Sequence, residues 1–196
     1  MRKLEYDKKI QKLVMTALMI CLVLLLTSTF KIPVPMTQGY VHLGDAMIFL
    51  SVMLLGKRDG ALAAGIGSAL GDILGGYAFW APWTFVIKFL MAFIMGLFIE
   101  KAGARHDVEN GNYKVTWIDL AGMVIGGLEM AGGYLIAERF LYGNWAAPVA
   151  ALPWNIGQFI VGAAVAIIVA GALCRTPVRK LFRANAANAG NARNRG

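Results

Sequence analysis

Charge is what this chain has least of. Asp, Glu, Lys and Arg make up only 15% of its 196 residues, where a soluble domain carries about 25%. With 58% hydrophobic residues and a mean hydropathy of +0.61, that deficit excludes an ordinary water-soluble domain. Cysteine is scarce as well. Cys21 and Cys174 lie in different apolar runs and belong to no CxxC or His/Cys cluster, so both read as small buried packing residues. No HExxH and no Ser/His arrangement is present. No small-x-small cleavage site follows the first apolar run, Leu13 to Phe30, which is longer than a signal-peptide core and reads as a retained first helix.

What remains is an all-α integral membrane protein. Six spans can be placed: about Lys12 to Phe30, Val41 to Gly56, Gly60 to Tyr77, Pro82 to Glu100, Trp117 to Phe140, and Pro153 to Leu173. A loop rich in turn residues, Lys31 to Gly39, joins the first two. Residues 1–183 are expected to form a single compact six-helix bundle, and 184–196 a disordered basic tail.

The net charge of +8 does not point to nucleic acid, because Lys and Arg cluster where apolar runs end. Of the nineteen, Lys31 and Arg139 fall in loops on one side and Lys88 within a span. The rest flank the spans on the other side. That asymmetry puts both termini in the cytoplasm. The third span repeats small residues at four-residue spacing (Ala64 with Ser68, Gly67 with Gly71, Gly71 with Gly75), and the fifth pairs Gly122 with Gly126. Such faces let helix backbones approach closely in lipid.

Against this background Asp45, Asp72, Lys88 and Glu129 stand out, because each lies inside an apolar span. A charge at that depth costs at least ~2.5–3.5 kcal/mol and needs a partner or a polar cavity. At about 1.5 Å per residue, all four sit in the outer half or near the middle of the bilayer. Asn155 and Gln158 share a face in the first outer turn of the sixth span. Together they describe a pocket open to the outside. Glu129, deepest and flanked by Gly126, Gly127, Gly132 and Gly133, is the leading ligand contact, with room expected beside its carboxylate. Asp45 fits either a cap or a binding group. Asp72 and Lys88 fit either an ion pair between the third and fourth spans or two ligand contacts. Outer aromatics, among them Tyr40, Tyr77, Trp80, Trp83 and Tyr134, are partly an interfacial belt and partly available to stack on a flat solute, with Trp83 or Tyr77 the expected stackers. His42 and His106 lie in opposite loops and cannot share a metal.

Several stretches carry a family likeness. They are Gly39-Tyr40-Val41-His42-Leu43-Gly44-Asp45-Ala46, Leu55-Gly56-Lys57-Arg58-Asp59-Gly60-Ala61, Gly67-Ser68-Ala69-Leu70-Gly71-Asp72, and Pro82-Trp83-Thr84-Phe85-Val86-Ile87-Lys88. With six spans and both ends inside, the chain resembles the substrate-binding S components of energy-coupling factor (ECF) vitamin transporters, of the riboflavin or hydroxymethylpyrimidine/pyridoxine type. The resemblance implies a subunit of a prokaryotic plasma membrane that has no ATPase of its own. It would dock on a transmembrane T component coupled to two ABC-type ATPases, and the absence of a Walker A sequence agrees. It also implies a ligand held beneath the loop joining spans one and two. The cargo would be a hydroxymethylpyrimidine or a B6 vitamer, then riboflavin. Glu129 would hold a protonated ring nitrogen or hydroxyl, and Asn155 and Gln158 would supply hydrogen bonds. The family's Ala-xxx-Ala contact to the T component corresponds to Ala17 and Cys21, a departure at the second position. Nickel and cobalt members carry a histidine directly after the initial methionine. Arg2 stands there in this chain, so no metal cargo is expected.

Two other classes compete. Intramembrane aspartyl proteases use Gly-x-Gly-Asp, and His42-Leu43-Gly44-Asp45 and Ala69-Leu70-Gly71-Asp72 each lack its first glycine. A ligand-free membrane scaffold is the third reading.

Overall fold

A computed structural model describes residues 2–35, 37, 39–102 and 115–177. The basic tail and His106 lie outside the described residues. Eight elements follow in order: α1 (Arg2–Thr29), β1 (Lys31–Pro33), β2 (Tyr40–His42), α2 (Gly44–Leu55), α3 (Lys57–Leu74), α4 (Ala81–Ala102), α5 (Trp117–Tyr142) and α6 (Ala146–Leu173).

Four helices are long and apolar enough to cross a membrane, over Lys9–Thr29, Ala81–Lys101, Trp117–Tyr142 and Ala146–Leu173. The other two are not of that kind. At 12 residues, α2 reaches only ~18 Å, short of a hydrocarbon core of ~30 Å. It is buried from Gly44 through Leu54. An apolar helix with no polar face belongs in an interior, and α2 lies among α1, α3, α4 and α6. The 18-residue α3 packs between α1 and α4, while α4, α5 and α6 follow one another around the bundle.

Local chemistry sets the element ends. One residue, Gly56 at φ 82°, separates α2 from α3, a left-handed backbone angle that glycine adopts freely. Thr116 and Asp119 close a reciprocal capping box at the start of α5, and Gly143 ends it at φ 69°. The sixth helix begins at Ala146, seven residues before the Pro153 expected to start it, and carries that proline in its interior. The loop expected after the first span is instead a short antiparallel hairpin, with Lys31 opposite His42, Ile32 opposite Val41 and Pro33 opposite Tyr40. Because residues 40–42 are strand, α2 starts at Gly44 rather than Val41.

The core is rich in methionine. Met19, Met53, Met91, Met95, Met123 and Met130 are fully buried with Phe49 and Ile48, flexible side chains that fill irregular gaps between helices. At Gly126 a β-carbon would stand 2.6 Å from the Met91 carbonyl oxygen, so α4 and α5 touch there backbone to backbone. At the end remote from the hairpin, ion pairs Lys12–Asp59 and Lys57–Glu100 join α1, α3 and α4.

Candidate cargo-binding cavity

Beneath the hairpin lies a cavity with about 460 Å³ of open space, part of it exposed to solvent. The hairpin segment contributes Val34, Gly39, Tyr40 and His42, the end of α3 Asp72, the turn before α4 Trp80, and the first turn of α4 Thr84. Tyr134 and Glu138 come from α5, and Ala151, Asn155 and Gln158 from α6. Five segments of chain therefore meet around one space.

Its walls are aromatic. The Trp80 ring meets Tyr134 and Tyr142 edge-on, with centroids 6.1 and 6.3 Å apart. Tyr40 and Tyr77 are tilted together at 4.8 Å, with the Lys31 ammonium 4.5 Å from the Tyr40 ring. Rings with both faces and edges on offer suit a flat solute.

Its polar groups are incompletely used. The Tyr40 hydroxyl donates to Asp72 Oδ1 at 2.7 Å, while Asp72 Oδ2, Trp80 Nε1 and Glu138 Oε2 are buried with no hydrogen-bond partner among the described residues. Buried polar atoms are normally satisfied, and leaving one unpaired costs about 1–3 kcal/mol. Three around one cavity are consistent with a ligand that completes them. Tyr134 donates to Thr84 Oγ1 at 3.3 Å. Burial, reinforced by the Asp72 carboxylate, pushes the Tyr40 hydroxyl far above its ordinary range, so it stays a donor.

Behind the cavity wall lies a closed network. Lys88 and Asp45, neither exposed at all, pair at 2.5 Å. Gln158 Nε2 donates to Asp45 Oδ2 at 2.9 Å, and Gln158 Oε1 accepts from the His42 backbone N–H at 2.9 Å. Lys88 Nζ also approaches Met130 Sδ at 2.9 Å. His42 Nδ1 accepts from the Gly44 N–H at 3.0 Å. Burial first, then the Lys88 charge, pushes the His42 imidazole down to about 3, so it is neutral. No group of three or more His, Cys, Asp or Glu able to hold a metal occurs among the described residues.

The family model of the ECF-type riboflavin transporter, S component, matches residues 7–175. The chain belongs to this family. Among its relatives, the thiamine precursor transporter HmpT of Lactococcus lactis subsp. cremoris (strain MG1363) is 30% identical over 182 residues, 92% of this chain and 98% of that protein. An "uncharacterized protein in gap 3'region" of Pyrococcus woesei is 38% identical over 147 residues, 75% of this chain and 88% of that protein. The chain is thus a substrate-binding S component and a multi-pass membrane protein, not an enzyme. Its family works with T and ATPase modules on a vitamin substrate.

Of the residues singled out in the sequence, this S component brings Tyr40, Asp72, Asn155 and Gln158 to the cavity wall. Lys88 does not pair with Asp72. It takes Asp45, and Asp72 takes Tyr40. Neither Lys88 nor Asp45 lines the cavity. Tyr77 stands behind Tyr40, and Trp83, 38% exposed, points away from the core. Glu129 also lies outside the cavity wall, with its Oε2 buried and without a hydrogen-bond partner among the described residues; of the glycines near it, Gly126, Gly127 and Gly133 meet Met91, Phe159 and Ile87, whereas Gly132 faces open space. Ala17 and Cys21 share an outward face of α1 with exposed Leu13, Val14, Leu18 and Leu25. Cys21 is therefore exposed rather than buried, whereas Cys174 is buried.

Glu138, Thr84 and His42 were not legible as cavity residues, and Trp80 and Tyr134 only as members of an aromatic belt. One signal was available. Met130, Tyr134 and Glu138 are spaced by four and so share a face of α5. Glu129 is nine residues from Glu138, roughly 180° around the helix. Glu129 thus sits on the opposite side of α5 from the carboxylate at the cavity.

Proposed function

We propose that this S component sits in a prokaryotic plasma membrane as a six-helix bundle with both termini in the cytoplasm, the short α2 being enclosed by its neighbours and continued toward the surface by the hairpin. Its cavity opens outward beneath the hairpin and captures a small heteroaromatic vitamin precursor of the hydroxymethylpyrimidine class. Delivery proceeds through one T component and two ABC-type ATPases, with the outward face of α1 around Ala17 and Cys21 docking the T component. The charge asymmetry of the loops supports the orientation, and the likeness to a thiamine precursor transporter supports the cargo class.

One observation carries the cargo reading. Two carboxyl oxygens, Asp72 Oδ2 and Glu138 Oε2, and one indole N–H, that of Trp80, are buried and unpartnered around the same aromatic-walled space. An aminopyrimidine with a hydroxymethyl group answers all three. Its amino and hydroxyl hydrogens donate to the carboxylates, a ring nitrogen accepts from Trp80, and the ring lies among Trp80, Tyr134 and Tyr40. Asn155, whose amide makes no hydrogen bond among the described residues, supplies a further contact. B6 vitamers share the hydroxyl donors. Riboflavin is the second reading, favoured by the family match.

Calorimetric titration of the purified chain in detergent tests this. Binding of the aminopyrimidine with micromolar or tighter affinity is expected. Absence of binding to the aminopyrimidine, to B6 vitamers and to riboflavin alike would refute the importer cavity.

A further inference from the structure

We propose that Gln158 meets the cargo as a fixed hydrogen-bond acceptor, held in that role by Asp45 and Lys88, which do not touch the cargo themselves. The inference rests on the cargo cavity described above and assigns part of its selectivity.

An ion pair is a poor way to join helices in an apolar interior, because desolvation offsets most of its attraction. The Asp45–Lys88 pair is entirely buried and absent from the cavity wall, so its role is to be sought in what it holds. It holds Gln158. A primary amide has two N–H donors and two acceptor lone pairs on its oxygen. One N–H goes to Asp45 Oδ2 at 2.9 Å, and Nε2 also faces Met130 Sδ at 3.6 Å. One lone pair of Oε1 takes the His42 N–H at 2.9 Å. The second lone pair is what the amide has left to offer the cavity that Gln158 lines.

The orientation of this amide is dictated by its partners. A backbone N–H can only donate, and the Asp45 carboxylate, paired with Lys88, accepts at both oxygens. Turning the amide over would set N–H₂ against the His42 N–H and oxygen against the Asp45 carboxylate, two repulsive contacts replacing two hydrogen bonds. Lys88 pairs with Asp45 and holds its carboxylate in place, so Gln158 cannot turn to suit its ligand. A cargo offering N–H or O–H at this point gains a bond. One offering a carbonyl oxygen faces an acceptor that does not move, a mismatch worth roughly ten- to hundredfold in affinity. With Asp72 Oδ2 and Glu138 Oε2 also acceptors, and Trp80 Nε1 the unpartnered donor, the site selects donor-rich heteroaromatic rings. Gln158 is then a specificity-determining residue, and Asp45 and Lys88 are positioning residues.

The test uses the full-length purified chain and two probes: the hydroxymethyl aminopyrimidine, and its oxo counterpart in which a carbonyl replaces the amino group. The wild type should prefer the amino compound by roughly ten- to hundredfold. The double variant Asp45→Val/Lys88→Met removes both charges together, leaving neither unpaired, and frees the amide. Its preference should shrink by about tenfold or more. Hydrogen exchange at the His42 amide, which donates to Gln158, should quicken in the same variant and supplies a readout that needs no ligand. A merely structural pair would lower thermal stability, or both affinities together, and leave their ratio intact. An unchanged ratio, or unchanged His42 protection, overturns the proposal. Wild-type binding of both probes alike overturns the role of Gln158 while leaving the cavity in place. Binding of neither overturns the cargo reading and this inference with it.

Discussion

Glu138→Gln separates the cavity reading from its closest rival, a site built around Glu129. The Glu138 side chain is 4% exposed, and its Oε2 has no partner among the described residues. Glutamine keeps the shape and one acceptor oxygen but removes the charge. A hydrogen bond to a charged group contributes about 1.5–3 kcal/mol against about 1 for a neutral pair, so the difference is ~1–2 kcal/mol, or about 5- to 30-fold in affinity. The fold should not suffer, since the Oε2 position has no hydrogen bond to lose among the described residues. Calorimetry with the aminopyrimidine and thermal unfolding in detergent measure both sides. The expected result is weaker binding with an equal or higher melting temperature. Glu129→Gln, made in parallel, should leave affinity unchanged. The reasoning is refuted by unchanged binding in Glu138→Gln, or by an equal loss in Glu129→Gln.

Other consequences concern stability. Lys88→Met removes the cation that Asp45 pairs with in the core, and should destabilise the chain by about 3–5 kcal/mol in a detergent unfolding assay. Adding Asp45→Val should restore most of that, and no recovery would contradict a pair held in low dielectric. Gly126→Ala should destabilise by about 1–3 kcal/mol despite alanine's better helix propensity, because its β-carbon would meet the Met91 carbonyl oxygen at 2.6 Å. An unchanged melting temperature would show that α4 and α5 can part at no cost. His42 sets a pH dependence. Its folded pKa of about 3 lies below the unfolded value of ~6.5. Its contribution is therefore complete above pH ~6.5 and is lost as pH falls toward 3, because the unfolded chain takes up the proton first. Between pH 7 and pH 5 the loss is ~2 kcal/mol, and His42→Asn should flatten that part of the profile; an unaltered slope would place the imidazole in a more solvated setting.

The sequence made the helices legible because apolar runs, glycine spacing and basic flanks are local signals. It also made legible which end of the bundle gathers polar groups, since Asp72, Asn155 and Gln158 do line one cavity. Lateral pairing was not legible. Asp45 and Asp72 both follow Leu-Gly in helices next to α4, and nothing in the spacing says that α2 rather than α3 presents its aspartate to Lys88. That choice depends on α2 being a short helix enclosed by its neighbours, a tertiary fact. Nor does depth along α5 give direction around it: depth marks Glu129, whereas the carboxylate at the cavity is Glu138, nearer the end of the span. The hairpin was hidden by its length. Three-residue strands leave no periodicity to read, and Lys31 and Pro33 obscure the first of them.

The most direct measurement is a structure of the chain with its cargo bound. The account predicts a planar ring beneath the hairpin, with its hydrogen-bonding groups at Asp72, Glu138 and Trp80 and with Gln158 unturned. A cargo seated beside Glu129, or outside the space between the hairpin and α3 to α6, would contradict it.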